Sequence, residues 1–186
     1  CARVGCMPSK ALIQVAHDLH RREVFSREGI EGGESLSASL PDTLEHVRDM
    51  RDILVDRVLG HTTDQMGDEF IDGYARFIEP GVLQVGEDTI HAASIVVACG
   101  TRPAVPPAWV DFGERILTSD TIFEQEDLPD AIAVVGLGVI GLEIGQALAH
   151  LGVSVTGIDM LDTIAGLRDP DARRSAIELM ERAFPI

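Results

Sequence analysis

The stretch Ala131-Ile-Ala-Val-Val-Gly136-Leu-Gly138-Val-Ile-Gly141 leaves the chain few choices of fold. A short β-prone apolar run ends on a glycine, and two further glycines complete a G-x-G-x-x-G pattern. The order predicts a buried strand over 131–135, a helix over 139–151 and a second strand over 153–158. Strand–helix–strand order implies parallel pairing through a right-handed crossover. A glycine pattern alone says little; placed between a buried strand and a helix it points to a dinucleotide. Gly136 permits the tight turn, Gly138 lets the backbone approach a pyrophosphate, and Gly141 lets helix and strand pack closely. The helix N-terminus then faces the diphosphate.

Asp159 closes the second strand, 18 residues beyond Gly141. A carboxylate there accepts hydrogen bonds from adenosine ribose hydroxyls and repels a 2′-phosphate, so NAD is favoured over NADP. The alternative is an ordinary turn aspartate, and Arg168 lies near enough in sequence to alter the balance. Gly145 reads as helix–sheet packing. Glu143 reads as a favourable charge early in the helix.

Composition narrows the class. Hydrophobic residues make up 45% of the 186 and aromatics only 4%, which suits aliphatic sheets covered by helices. The formal charge of −16 repels phosphate backbones, so no nucleic-acid partner is expected. No apolar run approaches the roughly 20 residues of a membrane span, and a cytoplasmic setting is expected. Three cysteines, Cys1, Cys6 and Cys99, are too few for a disulfide-stapled secreted fold. Lys10 is the single lysine among fifteen Lys and Arg residues.

Upstream of the glycine motif, apolar spacing predicts a helix over 7–23, with Pro8 in its first turn. A loop over 29–41 precedes a second helix from about Asp42, where Asp42 and Glu45 have capping-box spacing. Leu44, Val47, Met50, Leu54 and Val58 form its apolar stripe. Strands over 74–79, 82–85 and 88–98, parted by turns, read as a small antiparallel meander. Its last part, Ile95-Val96-Val97-Ala98, reads as buried on both faces. Pro103, Pro106 and Pro107 mark a linker.

Cys1-Ala-Arg-Val-Gly-Cys6 runs straight into Met7-Pro8-Ser9-Lys10 and a helix. Cys6 therefore lies at a helix N-terminus, where backbone N–H groups and the dipole stabilise a thiolate. Arg3 and Lys10 add positive potential. In a regular helix positions i and i+5 stand roughly 8–9 Å apart, whereas a disulfide needs its Cα atoms within about 7 Å. A Cys1–Cys6 bond therefore requires distortion, which Gly5 would ease. Half of a zinc site and two inert thiols are the other readings of the spacing. No second cysteine pair or nearby histidine follows, so no metal is expected.

The run resembles the active-site signature of the pyridine nucleotide-disulfide oxidoreductases, matching it at Cys1, Val4, Gly5, Cys6, Pro8, Ser9 and Lys10. Within that family Pro8-Ser-Lys-Ala-Leu12 is most similar to the dihydrolipoyl dehydrogenases; Arg3 stands where the family has Asn. The resemblance implies an α/β fold with two Rossmann-like nucleotide-binding domains, for FAD and NAD, both incomplete here: residues 1–102 and 103–186. It implies catalysis by Cys1, which meets the substrate, and Cys6, which faces the flavin. Lys10 would lie near the flavin edge. Gly73-Tyr-Ala75-Arg-Phe77 and Ala98-Cys99-Gly100 resemble FAD-contacting segments, so Ala75 and Gly100 join the FAD site and Cys99 becomes a small core residue. Gly136, Gly138, Gly141, Glu143 and Asp159 form the NAD site. Thr118-Ser-Asp120 and Leu128-Pro129 match the family's approach to its NAD domain.

The implied reaction oxidises a small or protein-bound dithiol, dihydrolipoamide, with NAD as hydride acceptor. Expected partners are a second copy of the chain and a 2-oxoacid dehydrogenase complex. A mercuric or other NAD(P)H-dependent disulfide reductase is the alternative enzyme, and a non-catalytic flavoprotein or redox-sensing module the alternative of another class. The chain opens in mid-motif, so it is expected to be an internal piece. The FAD diphosphate motif would precede it, a dimerisation domain with the catalytic His-Glu pair would follow, and the piece alone would be inactive. His17, His20, His46, His61, His91 and His150 are read as surface or packing residues.

Overall fold

The computed structural model describes residues 2–186. Helix α1 (Cys6–His20) starts where Gly5 takes φ 84°, and the Ser9 amide and hydroxyl donate back to the carbonyls of Gly5 and Cys6. The helix ends three residues earlier than the apolar spacing predicts, and a single further turn, α2 (Arg22–Phe25), continues it. Two short 3₁₀ turns then lead to α3 (Leu40–His61).

The start of α3 corrects the expected capping box. Ser39 is the N-cap, its hydroxyl accepting from the Asp42 amide at 3.5 Å, and Pro41 occupies the first turn. A proline is tolerated there because the missing N–H has no intrahelical partner. Asp42 is a first-turn charge favoured by the dipole. The expected stripe packs only at its N-terminal end. Leu44 and Val47 are fully buried against α1, whereas Met50 and Val58 are exposed. Burial of each of the first two contributes about 1.5–3 kcal/mol. Arg51, also buried, crosses from α3 to the turn at 122–124, pairing with Glu124 at 2.5 Å and with its neighbour Asp52 at 2.8 Å. One more helical turn, α4 (Thr63–Met66), precedes the sheet.

Strands β1 (Ala75–Glu79), β2 (Val82–Val85) and β3 (Asp88–His91) form the expected antiparallel meander, with Gly81 and Gly86 at positive φ in its turns. The expected continuation through 95–98 is absent. Those residues form no strand, and Val96 and Val97 are 90% and 68% exposed. A doubly buried strand needs a neighbour on each side, and the described residues pair none with it. For the same reason Cys99 is exposed and is no core residue.

After an irregular stretch and a 3₁₀ segment at 107–115, β4 (Ala131–Val135), α5 (Val139–His150) and β5 (Ser154–Ile158) form the strand–helix–strand unit. β4 and β5 pair in parallel, Ala131 with Ser154 through Val135 with Ile158. β4 is not the buried strand its composition suggests: its residues alternate between exposed and half-buried, because β5 alone flanks it. On β5 the alternation is clean, with Val155 and Gly157 buried. After α6 (Pro170–Met180) the chain returns along β5, where the Gly157 amide donates to the Pro185 carbonyl and Phe184 inserts beneath α5. One apolar cluster runs through the molecule, from Leu12, Leu44 and Val47 by way of Phe123 and Leu128 to Leu148, Val155 and Phe184.

Candidate functional site

The glycine turn is built as its pattern demands. Gly136 takes φ 95°, a region that favours glycine, and its amide donates to the Ile158 carbonyl at 2.8 Å. A Cβ on Gly141 would stand 2.0 Å from the Gly136 carbonyl oxygen, so only glycine lets α5 approach the turn. Gly138 differs. It is the N-cap of α5 in an ordinary extended conformation, and a Cβ there would meet nothing within 4 Å. Space is therefore left beside a helix N-terminus whose first N–H groups lack intrahelical partners. A dinucleotide diphosphate fits that opening. Gly145 packs against Phe184, whose ring would lie 3.1 Å from an added Cβ.

Asp159 follows β5 and binds back to the turn. One carboxylate oxygen accepts from the Leu137 amide at 2.6 Å and the other from the Leu161 amide at 2.9 Å. These N–H groups, that of Leu161 foremost and then that of Leu137, hold its carboxyl below the usual value of 3.8. Each oxygen keeps a further lone pair, enough to accept a ribose hydroxyl. Sequence reasoning missed the bond to Leu137, which spans 22 residues. The turn to Leu161 was available from the i→i+2 spacing typical of aspartate. Arg168 is exposed.

Lys10 and Glu143 lie 133 residues apart in sequence, yet Nζ of Lys10 contacts Oε1 of Glu143 at 2.7 Å. Their side chains are 57% and 36% exposed, so the pair contributes little to stability, about 0–1 kcal/mol. It lines a cleft of about 220 Å³ between α1 and α5, with Ile13, His17, Gln146 and His150. A larger groove of about 760 Å³ borders β4 and the 107–115 segment; its walls are mainly apolar, and it holds none of the paired charges.

Cys6 opens α1, one helical turn before Lys10, and is disulfide-bonded. Cys1 lies outside the described residues. The remaining expected residues belong to other elements. Ala75 begins β1, and Gly100 sits at φ 70° in the irregular stretch; both are exposed. The structure thus gathers Gly136, Gly138, Gly141 and Asp159 at one end of α5, and joins that helix to α1 through Lys10 and Glu143.

Comparison with known proteins places the chain in a family. The profile of the family described as pyridine nucleotide-disulphide oxidoreductase matches residues 1–183. A chloroplastic dihydrolipoyl dehydrogenase of Arabidopsis thaliana is 32% identical over 180 residues, covering 95% of this chain and 31% of that protein. A soluble pyridine nucleotide transhydrogenase of Mycobacterium tuberculosis is 31% identical over 182 residues, covering 92% and 38%. Among solved structures, the flavoprotein disulfide reductase RclA from Escherichia coli superposes with a TM-score of 0.75 at 20% identity, covering 100% of this chain and 40% of that one. That likeness is one of fold: α/β with a small antiparallel sheet. The chain spans between 31% and 40% of the length of these three proteins. It belongs to the pyridine nucleotide-disulphide oxidoreductase family.

Proposed function

We propose that this chain supplies the redox-disulfide and nucleotide-binding parts of an oxidoreductase that uses FAD and a pyridine nucleotide to oxidise a dithiol. The observation that carries this reading is the Lys10–Glu143 contact, which joins the helix behind Cys6 to the helix behind the glycine turn. In this reading residues 1–102 belong to an FAD domain and residues 103–186 to an NAD domain, each Rossmann-like and each incomplete. Ala75, Gly100 and Lys10 would contact FAD, and Gly136, Gly138, Gly141, Glu143 and Asp159 would contact NAD. The Asp159 carboxylate, held ionised, favours NAD over its 2′-phosphorylated form.

The disulfide step moves two electrons from the substrate dithiol to the Cys1–Cys6 pair. A substrate thiolate attacks Sγ of Cys1, forms a mixed disulfide and releases Cys6 as a thiolate. The second substrate thiolate then attacks the mixed disulfide, releasing oxidised substrate and leaving both cysteines reduced by two electrons in total. The N-terminus of α1 favours the Cys6 thiolate. FAD, when bound, supplies the two-electron relay from this pair to the nicotinamide. The Lys10 ammonium and the Glu143 carboxylate, in contact at 2.7 Å, hold one another in place and would stand near the bound FAD.

Dihydrolipoamide is the substrate of first choice, given the relatives named dihydrolipoyl dehydrogenase. A homodimer, docking to a 2-oxoacid dehydrogenase complex and a cytoplasmic setting belong to the same proposal. The test is the visible spectrum of the full-length protein before and after one equivalent of dithiol. A flavin spectrum that gains a long-wavelength thiolate-to-flavin band supports the mechanism; bound flavin without the band removes it. The transhydrogenase relative favours a second reading, hydride exchange between pyridine nucleotides. Cys6→Ser would spare that activity and abolish dithiol oxidation.

A further inference from the structure

At the far end of the α1–α5 contact from the glycine turn, two histidines meet. His20 and His150 are each the last residue of their helix. Their rings stack with centroids 3.8 Å apart and planes within 1° of parallel. Nδ1 of His150 is buried without a hydrogen-bond partner among the described residues. Nδ1 of His20 lies 3.2 Å from Oε1 of Glu23, on α2. His17, one turn earlier on α1, lines the adjoining cleft, which reaches Lys10 and Glu143. A metal does not account for the arrangement. The nitrogen lone pairs lie in two parallel ring planes and cannot converge on one ion.

We infer that His20 and His150 form a proton-sensitive clasp that holds the C-terminal ends of α1 and α5 together when the rings are neutral and loosens when both are charged. Two neutral imidazoles stacked at this distance gain dispersion contact over their ring faces and carry no net charge to repel. The Glu23 carboxylate lies against the His20 ring, and among the described residues it is the carboxylate whose field favours a charged His150; the titratable and charged groups lining the adjoining cleft are His17, Lys10 and, on α5 itself, Glu143. A second proton would therefore place two cations face to face at 3.8 Å. Burial, then His20 and His17, push the His150 imidazolium below its usual value of 6.5, against the opposing pull of Glu23. The sign follows. The unfolded chain binds this proton more readily, so the clasp stabilises the fold fully above 6.5 and loses that contribution as pH falls below it. The clasp lies on the same two helices as the Lys10–Glu143 pair, so acid loosens the support of that pair from its far end. The inference does not depend on the proposed redox function.

The test is a histidine ring titration by NMR on the full-length protein, combined with thermal midpoints at pH 7.5 and 5.5 for the parent, His20→Gln and His150→Phe. The expected results are a His150 ring that titrates below 6.5 and a parent midpoint that falls a few degrees further on acidification than either variant's. His150→Phe keeps a flat ring in the stack, and His20→Gln alters the more exposed partner should the first variant fold poorly. A His150 ring that titrates at or above 6.5, or midpoint curves that superimpose on the parent's, would overturn the clasp.

Discussion

Replacing Gly141 by alanine separates the two jobs that the glycine turn combines. The added Cβ would lie 2.0 Å from the Gly136 oxygen and 3.2 Å from its carbonyl carbon, where 3.0 Å is the closest that real Cβ atoms come. Relief requires a movement of about 1 Å, and both sides of the contact are backbone. The Gly136 peptide is also held by its own bond to Ile158, which retreat would stretch. Overpacking costs about 1–3 kcal/mol, and a backbone clash belongs at the upper end. Alanine returns roughly 1 kcal/mol in helix propensity. The net loss is about 2 kcal/mol, a fall of roughly 4–8 °C in Tm for a chain of this size. Gly138→Ala is the counterpart. Its backbone is not left-handed and its Cβ meets nothing, so the loss is about 0.5 kcal/mol, set by N-cap preference. If the proposed nucleotide site is right, dinucleotide affinity should nevertheless fall at least about tenfold, because the methyl would occupy the open space beside the helix N-terminus. Thermal unfolding by circular dichroism and calorimetric titration with NAD read the two effects. A Gly141→Ala protein that melts within about 1 °C of the parent, or a Gly138→Ala protein that binds NAD as tightly as the parent, would refute this division of labour.

Three further outcomes are expected. Phe184→Ala removes the buried ring that fills the space beside Gly145 and Gly157, and should cost about 3–5 kcal/mol in chemical denaturation. Asp159 has a folded-state carboxyl held below 3.8, so its two backbone bonds stabilise the fold above that value and lose their effect as pH falls through the lower, folded one; Asp159→Asn should flatten the acid limb of the stability curve and weaken NAD binding. Lys10→Met should shift Tm by no more than about 4 °C, the pair being largely exposed. The same change should slow reduction of bound flavin in stopped-flow measurements on the full-length protein.

Local physics made some elements readable in advance and hid others. The parallel unit and its three glycines are legible because strand, turn and helix follow one another directly in the chain, and the closest approach in the turn, of Gly141 to Gly136, spans five residues. Pro8 and the apolar spacing behind it gave α1 in the same way. The cap of α3 was misassigned to Asp42 because its spacing to Glu45 competes with that of Ser39 to Asp42, and only the hydroxyl contact decides between them. The run Ile95–Ala98 has strand composition without a paired neighbour among the described residues, and composition cannot report what stands alongside. The Lys10–Glu143 contact and the His20–His150 stack join residues more than a hundred positions apart, so no window of sequence contains either.

That long span also sets an order of events during synthesis. α1 finds α3 soon after α3 emerges, because both belong to the first third of the chain. Among the described residues, its other flank, where Ile13, Ala16 and His17 face α5, is covered by a helix whose contacting residues begin at Glu143. At about 5–20 residues per second, the 133 residues between Lys10 and Glu143 take a ribosome roughly 7–27 s. The emerging chain therefore carries a half-covered helix for many seconds, long compared with the microseconds in which a helix itself forms. Among the described residues, the ion pair that joins the two helices closes only after α1 has met α3 and the antiparallel sheet has been made, and a chaperone that holds nascent chains would meet α1 before α5 covers that flank.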